Sequence, residues 1–544
     1  MSADLQRRTI CESLLFFILT AAVSFGILPF NYFINPDGAE YIRLGQNLFS
    51  GAGLSVNAAQ SYVSHPPLYS FFIGLLALLT GKGEFAGHFL STAFFALAGV
   101  PFFLAAASAY GLPAARWFGL LYLSHGFLLS YANYVIAEPL LILWIGFMLW
   151  IVQNAAVQSV SRRQILLAAV SLGACGGLAY LTHPLGALFY AVAVLSFFLT
   201  APGRMLEKLA ATCGSMLVFL LFAVPYLYFV QSVTDQIQLS GVALRGLLRR
   251  YLDMSKSLPY SELKKIYEGL SYDKTEFRLD EIARHFTLWD YLIKDKFAAL
   301  RYALPTLSVR IAGLSSYLYA GLGFVLIGAG LFNMTWNARR KRIEAVRFLF
   351  LLPFTGFAFM VFEQRYYLPF IPLLLLWAAL GLERVREWLA ASLNWNPVRS
   401  AAATGLLCLL MILPSSAYVG RSIRLSRNPI EHQELGRWMR ENISGIQKET
   451  VAAQVPYAAF YSGAGILRLP YVELFDDLRT YLRHHRARYF VVGDDLDTPT
   501  LHSYRFLFTR PDDPAIPSGI KQVHAVRGLK NIYLYEVQGE LSDG

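Results

Sequence analysis

Long runs without charged residues constrain this sequence more than any other feature. Eleven of these runs are long enough to cross a hydrocarbon core of about 30 Å: residues 13–33, 85–110, 114–133, 138–158, 165–182, 184–203, 209–231, 311–335, 347–362, 366–382 and 400–419. Only 15% of the 544 residues are charged and 56% are hydrophobic, whereas a soluble chain carries about a quarter charged residues. The sequence therefore predicts an all-α polytopic membrane protein with about eleven transmembrane helices.

Basic residues between the runs predict an orientation. The apolar stretch 67–80 is short for a span and is typical of a re-entrant or interfacial helix. If it does not cross and the N-terminus with Arg7 and Arg8 is cytoplasmic, every basic cluster lies inside, including the one from Arg339 to Arg342. If it did cross, that cluster would face outward. We therefore predict a multi-pass protein of a bacterial inner membrane with a cytoplasmic N-terminus.

Three pieces of the chain are predicted outside the membrane. The loop 31–84 carries an amphipathic helix over 38–49, which we expect to lie on the membrane surface. The loop 231–310 has the length of a functional lid, although a solvated, partly helical excursion is the alternative. From 421 the pattern becomes one of short strands and helices. We predict a transmembrane domain over 1–420 and a small periplasmic α/β domain over 421–544, without a phosphate-binding loop or dinucleotide motif.

Two carboxylates are predicted at the outer rim of the bilayer. Asp37 follows the first helix in Asn35-Pro36-Asp37-Gly38, and Glu138 opens the fourth in Ala137-Glu138-Pro139. Each has a structural alternative, since a carboxylate at a helix start is favoured as a cap and by the helix dipole. A carboxylate that shares a cavity with a substrate can instead accept a hydroxyl proton during catalysis. The predicted topology allows both acids to face one cavity.

Cations at the same rim are candidates for binding a phosphate, whose developing charge must be stabilised if it is to leave. Arg365 is the strongest, because it lies in a tight outward turn between two apolar runs; snorkelling to the interface is the alternative explanation. His65 and His183, each followed by proline, are weaker candidates, since an interfacial histidine is often only hydrogen-bonded. Arg245 and Arg249 in the second outer loop complete the set.

The order of these motifs resembles the GT-C glycosyltransferases, the polytopic class that includes the lipid A aminoarabinose transferases and the protein O-mannosyltransferases. The resemblance extends over residues 1–420. It rests on motifs that are weak singly and more specific together: Pro36-Asp37 with Tyr41, His65-Pro66-Pro67-Leu68-Tyr69, the stretch ending in Glu138-Pro139, Leu181-Thr182-His183-Pro184 and Arg365-Tyr366-Tyr367-Leu368-Pro369.

This resemblance implies an inverting hexosyl- or pentosyltransferase that uses a polyprenyl-phosphate sugar and a lipid, glycan or protein acceptor. Asp37 would be the general base, and Glu138 a second acid that shapes the site or joins Asp37 in holding a divalent cation. Arg365, Tyr41 and Tyr366 would contact the donor. Gly38, His65 and His183 depart from the family, which often has an acid and two basic residues at these positions. No cofactor is assigned, and the metal requirement, donor sugar and acceptor stay open.

Other classes compete with this interpretation. A transporter or lipid-linked sugar flippase is the main alternative, but such proteins usually show internal repeats and broken helices at mid-membrane. The chain shows no such repeat. An oligosaccharyltransferase is disfavoured by the absence of a Trp-Trp-Asp signature, while a ligase that moves a whole glycan stays open. The net charge of +11 does not indicate nucleic-acid binding, because no basic-aromatic module accompanies it.

Overall fold

The structure describes most of the chain. The computed structural model describes residues 3–30, 34–57, 63–157, 161–234, 239, 270–271, 276–277, 296–332, 335–358, 363–425, 430–469, 475–494, 506–511, 516 and 519–538. The candidate phosphate ligands Arg245 and Arg249 lie outside these residues.

Helices dominate the first 425 residues. They are α1 (Ala3–Ile27), α2 (Pro36–Ser50), α3 (Pro67–Thr80), α4 (Gly83–Tyr110), α5 (Leu112–Ser124), α6 (Gly126–Ala132), α7 (Glu138–Val157), α8 (Arg162–Thr182), α9 (Leu185–Thr200), α10 (Met205–Thr234), α11 (Lys296–Tyr317), α12 (Leu322–Phe332), α13 (Ala338–Phe350), α14 (Ile371–Ser392) and α15 (Pro397–Leu425). Between α10 and α11, strands β1 (Leu270–Ser271) and β2 (Glu276–Phe277) pair antiparallel.

Six helices in the described residues have the length and apolar character of a membrane span: α1, α4, α7, α8, α10 and α15. The bent pair Ala303–Tyr317 and Tyr319–Phe332, at 94° to each other, would be a seventh. These seven match predicted runs. The other four runs form shorter or broken helices, so the count of eleven stays a prediction.

For each of those four runs, a local feature explains why it does not form one apolar helix long enough to span a membrane. His125 separates α5 from α6, and α9 has only 16 residues. The run 347–362 begins in the last turn of α13 and continues in the 3-10 segment Leu352–Ala358. The run 366–382 begins in the 3-10 turn Gln364–Tyr367 and continues as the apolar first half of α14, whose second half is charged from Glu383 onward.

Helices α2 and α3 form a close pair in the first outer loop. The side chain of Asn35 caps α2 by accepting from the Gly38 amide at 2.8 Å, and Gly51 ends the helix in the left-handed region at φ 87°. The two helices touch where Gly45 faces Gly74, since a β-carbon on Gly74 would lie 2.3 Å from the Gly45 carbonyl oxygen. Only glycine at this crossing lets the backbones approach so closely.

A five-stranded sheet forms the core of the C-terminal region, with strand order β4-β3-β5-β7-β6. Its elements are α16 (Ile430–Asn442), β3 (Thr450–Ala453), α17 (Tyr457–Ser462), β4 (Gly465–Arg468), α18 (Phe475–His484), β5 (Tyr489–Gly493), α19 (Phe506–Thr509), β6 (Ile520–Arg527) and β7 (Asn531–Val537). Strands β4, β3 and β5 are parallel, and β7 and β6 are antiparallel additions. The predicted fold class, an α-helical membrane fold with a small C-terminal α/β region, is confirmed.

One strand of this region was not predicted from the sequence. Strand β4 was not predicted, because its four residues follow α17 so closely that no alternation is visible. The domain boundary at 420 stays a prediction; position 420 lies within α15, which continues to Leu425. Edge strand β4 also meets the first outer loop: the Ile466 amide donates to the Val56 carbonyl at 3.4 Å.

Candidate active site

Three segments that are distant in sequence bring Asp37, Glu138 and Arg365 together. Asp37 lies in the first turn of α2, Glu138 is the first residue of α7, and Arg365 belongs to the 3-10 turn Gln364–Tyr367. Arg365 Nη1 lies 2.6 Å from Asp37 Oδ2, and its Nε lies 3.4 Å from Glu138 Oε1. The guanidinium therefore bridges the two carboxylates.

Charge in this cluster is unequal, because a third carboxylate also pairs with the single arginine. Glu363 Oε2 lies 2.9 Å from Arg365 Nε. Burial by itself lowers the pKa of an arginine, but the carboxylates of Glu138, Asp37 and Glu363 outweigh it and raise the pKa of Arg365. Arg365 is therefore a permanent cation, and an excess of negative charge surrounds it.

Asp37 is ionised in this setting. Burial disfavours its carboxylate, but the positive charge of Arg365, helped by His65, outweighs that cost and lowers the pKa of Asp37 below its usual value. Its side chain keeps 20% of its accessible surface, against 5% for Glu138. Of the two acids, Asp37 is thus the better placed to meet an incoming substrate.

A second group of charges lies one turn further along α2. Glu40 is 2% exposed, and its Oε2 lies 3.2 Å from His65 Nε2. Arg468 of β4 donates from Nη2 to Glu40 Oε1 at 2.7 Å. The ring of Tyr41 stacks on His65 with centroids 4.4 Å apart. The C-terminal region therefore contributes a residue to the surroundings of the candidate site.

Glu40 is buried, although the amphipathic pattern of α2 places it on the polar side, which we expected to face solvent. Its burial is offset by contacts at both carboxylate oxygens, because Arg468 pairs with Oε1 and His65 Nε2 lies 3.2 Å from Oε2. Sequence reasoning missed both Glu40 and Arg468. The available signal was that Glu40 follows Asp37 by three residues, a spacing that places two side chains on the same face of a helix.

The residues that could bind a metal ion differ from Asp37 and Glu138, the pair that the sequence suggested. Arg365 occupies the space between Asp37 and Glu138, whereas one donor atom each from Asp37, Glu40 and His65 lie within 4.8 Å of one another. Two carboxylates and an imidazole suit a divalent ion such as zinc or manganese. Within the described residues, this triad is the group that fits a divalent cation.

The remaining candidates surround the cluster. His183 Nδ1 accepts from the Leu185 amide at 3.1 Å. Burial, followed by the charges of Arg365 and His65, lowers the pKa of His183 to about 3. His183 is thus a neutral hydrogen-bonding group at neutral pH, whereas the sequence suggested a cation. The Tyr366 ring centroid lies 5.8 Å from the guanidinium carbon of Arg365.

Comparison with known proteins identifies the fold. No family model and no curated protein sequence matches the chain. Among solved structures, apo ArnT of Cupriavidus metallidurans is similar with a TM-score of 0.58 and 16% identity, over 96% of this chain and 97% of that one. The same protein bound to undecaprenyl phosphate gives a TM-score of 0.57 and 15% identity, over 98% and 99% of the two chains.

A second similarity is to an archaeal protein. The apo oligosaccharyltransferase of Archaeoglobus fulgidus gives a TM-score of 0.61 and 14% identity over 91% of this chain and 71% of that one. The structure of that enzyme, AglB, with an inhibitory peptide and a dolichol-phosphate has a TM-score of 0.59. ArnT and AglB are both members of the GT-C superfamily. The chain described here therefore has the GT-C fold, as the order of its motifs predicted.

Proposed function

We propose that this protein is a membrane glycosyltransferase that moves a sugar from a polyprenyl-phosphate donor to a lipid, glycan or protein acceptor. The observation that carries the proposal is the convergence of Asp37, Glu138 and Arg365 from three separate segments. Such a cluster combines an ionised base with a fixed cation. The fold also supports a polyprenyl-phosphate donor. It is shared with ArnT, which was solved with undecaprenyl phosphate, and with AglB, which was solved with a dolichol-phosphate.

In the proposed reaction an acceptor hydroxyl attacks the anomeric carbon of the donor sugar. Asp37 accepts the hydroxyl proton as the new carbon–oxygen bond forms, because an alcohol is a poor nucleophile while it keeps that proton. The bond from the anomeric carbon to the phosphate oxygen breaks on the opposite side, so the anomeric configuration inverts. The electron pair of that bond leaves with the polyprenyl phosphate.

Arg365 is proposed to receive the leaving phosphate. A fixed guanidinium stabilises charge as it develops on oxygen, and it needs no reorganisation at that moment. Glu138 and Glu363 lie 3.4 and 2.9 Å from its Nε and attract that edge of the guanidinium by charge, while the donor phosphate competes with Asp37 for Nη1. Asp37, Glu40 and His65 are the residues that would hold a divalent cation, which would supply Lewis-acid stabilisation of negative charge.

Replacement of Asp37 by asparagine tests the proposal. The amide keeps the shape of the side chain but cannot accept the proton, so transfer should fall by about a hundredfold or more. The measurement is mass spectrometry of lipids and glycans from cells lacking the protein, complemented with wild-type, Asp37→Asn or Asp4→Asn protein at equal membrane abundance. Asp4 is exposed near the N-terminus and is the matched control.

Two results would contradict the proposal. Wild-type product levels with Asp37→Asn would eliminate the general-base assignment. A difference confined to the transmembrane distribution of an unchanged lipid, seen as flux in vesicles without any new glycosidic bond, would identify a flippase instead.

A further inference from the structure

A polar cavity lies further along α2 than the cluster of Asp37, Glu138 and Arg365. It has a volume of about 420 Å³ and opens where α2, the turn between α3 and α4, and the helices α16 and α17 meet. Arg43, Lys82, Arg437 and Arg440 line it together with Glu84 and Phe85. Four cations thus face one carboxylate in a groove between the helical and C-terminal regions.

That one carboxylate is already engaged. The Tyr461 hydroxyl donates to Glu84 Oε1 at 3.2 Å. Lys82 and Arg437 are exposed, and no carboxylate in the described part of the chain lies within 4.0 Å of either side chain. The groove therefore has positive charge that the described residues do not neutralise.

Two of the four cations also hold the fold, which explains part of the cluster. Arg43 donates to the carbonyls of Gly463 and Ala464 at 3.2 and 3.0 Å, and Arg440 donates to the Tyr461 carbonyl. The Nε of Arg43 is nevertheless buried without a partner among the described residues. Burial, followed by repulsion from Arg440, lowers the pKa of Arg43 to about 10. An anion in the groove would pair with the buried Nε of Arg43 and would offset the repulsion between Arg43 and Arg440.

Exposed apolar side chains lie close in sequence to Lys82 on the helical side of the groove, and Phe85 among them lines it. At the end of α3, Leu78 and Leu79 are 61% and 79% exposed, and Phe85 and Phe89 in α4 are 41% and 38% exposed. Exposed apolar side chains on two adjacent apolar helices indicate contact with lipid chains, and arginine and lysine side chains beside them can pair with a lipid phosphate. A soluble anion would use the cations but would gain nothing from these residues.

We propose that this groove binds the phosphate of an anionic lipid headgroup, with the acyl chains lying against Leu78, Leu79, Phe85 and Phe89. The site is separate from the candidate active site, because Arg43 follows Asp37 by six residues and thus lies about 9 Å further along α2. The inference does not depend on the glycosyltransferase assignment. It adds a lipid-binding site at the contact between the helical and C-terminal regions.

Native mass spectrometry of the full-length protein in mild detergent tests the site. Phosphatidylglycerol, phosphatidylcholine and inorganic phosphate are the three probes. The variant Lys82→Gln/Arg437→Gln removes the two cations that hold no backbone carbonyl. Losing two charges beside a lipid phosphate should weaken phosphatidylglycerol binding by roughly tenfold to thirtyfold. The control Lys521→Gln/Arg527→Gln removes two exposed charges from edge strand β6 and should bind like the wild type.

The probes separate the two sources of phosphate. We expect the wild type to retain phosphatidylglycerol over phosphatidylcholine, and inorganic phosphate at the same concentration to leave that complex intact. Equal retention of both lipids, or equal loss of phosphatidylglycerol in the variant and its control, would overturn the proposal. Displacement by inorganic phosphate would show an ion site without a lipid. Equal melting temperatures of the variant and its control would show that the fold is unchanged.

Discussion

At the residue scale, the candidate active site depends on one guanidinium shared by three carboxylates. An arginine can hold several oxygens at once because its donors lie in a rigid plane, whereas a lysine presents a single charged point. Arg365 Nη1 lies 2.6 Å from Asp37, and its Nε is within ion-pair distance of Glu138 and Glu363. The geometry of the cluster should therefore depend on the shape of this side chain as well as on its charge.

Replacing Arg365 by lysine tests that dependence. The charge is kept, but the ammonium cannot bridge Asp37 and Glu138 together, so the leaving phosphate loses a fixed partner. We expect transfer to fall by about a hundredfold or more, the typical cost of removing one preorganised donor. The measurement is the initial rate on a lipid-linked donor in liposomes. Arg386→Lys is the control, since Arg386 pairs with Glu383 elsewhere on α14; an equal loss there would contradict a specific role.

The sequence predicted the positions of Asp37, Glu138 and Arg365 because each stands beside a proline or a turn at the end of an apolar run. It did not predict their distances. Glu40 and Arg468 were missed for a physical reason: their pairing joins residues 428 positions apart. No local pattern reports a contact between an outer helix and a strand of the C-terminal sheet.

At the element scale, α2 is held from two sides. The crossing at Gly45 and Gly74 joins it to α3, and Arg43 and Glu40 join it to the C-terminal region through Gly463, Ala464 and Arg468. Because α2 carries Asp37 in its first turn, both contacts should affect the site. The amphipathic pattern predicted the helix itself but neither contact.

A methyl group at Gly74 should separate α2 from α3. A β-carbon there would lie 2.3 Å from the Gly45 carbonyl oxygen, and backbone must move to admit it, at a cost of about 1–3 kcal/mol. We expect Gly74→Ala to lower the melting temperature in detergent. Gly214→Ala is the matched control, because Gly214 lies inside α10 with no heavy atom within 4 Å of a new β-carbon. A melting temperature like that of the control would show that the crossing tolerates the methyl.

Arg468 should act on transfer through the position of α2. Arg468→Gln removes a charged partner from the buried Glu40 carboxylate, so we expect kcat to fall severalfold while KM for the donor changes little. Arg468→Lys should restore part of the rate. The control is Arg488→Gln, which breaks the exposed Arg488–Glu536 pair of the same sheet at 2.7 Å. Equal effects of Arg468→Gln and its control on kcat would rule out a positioning role.

At the scale of the whole molecule, the candidate active site and the basic cluster of α13 lie at opposite ends of the helical region. Glu138 begins α7, and Arg342 Nη1 donates to the carbonyl of Ala156 near the end of the same helix at 3.4 Å. The rise along α7 between these two points is about 27 Å, close to the thickness of the hydrocarbon core. Arg468 places the C-terminal sheet at the same end as Asp37. The charge pattern of the sequence predicted this separation, since it assigned Arg339 to Arg342 to the inside.

Cysteine labelling tests whether the C-terminal region lies outside the cytoplasm and the basic cluster of α13 inside it. In a background in which serine replaces Cys11, Cys175, Cys213 and Cys408, an exposed cysteine is introduced by Lys448→Cys in the C-terminal region or by Lys341→Cys in α13. A membrane-impermeant maleimide should label the first in intact spheroplasts and the second only after lysis, because positive loops stay in the cytoplasm. The reverse pattern would invert the topology and place the proposed transfer on the cytoplasmic face. Labelling of both before lysis would contradict a membrane between the two ends, since the length of α7 would then lie along the bilayer instead of across it.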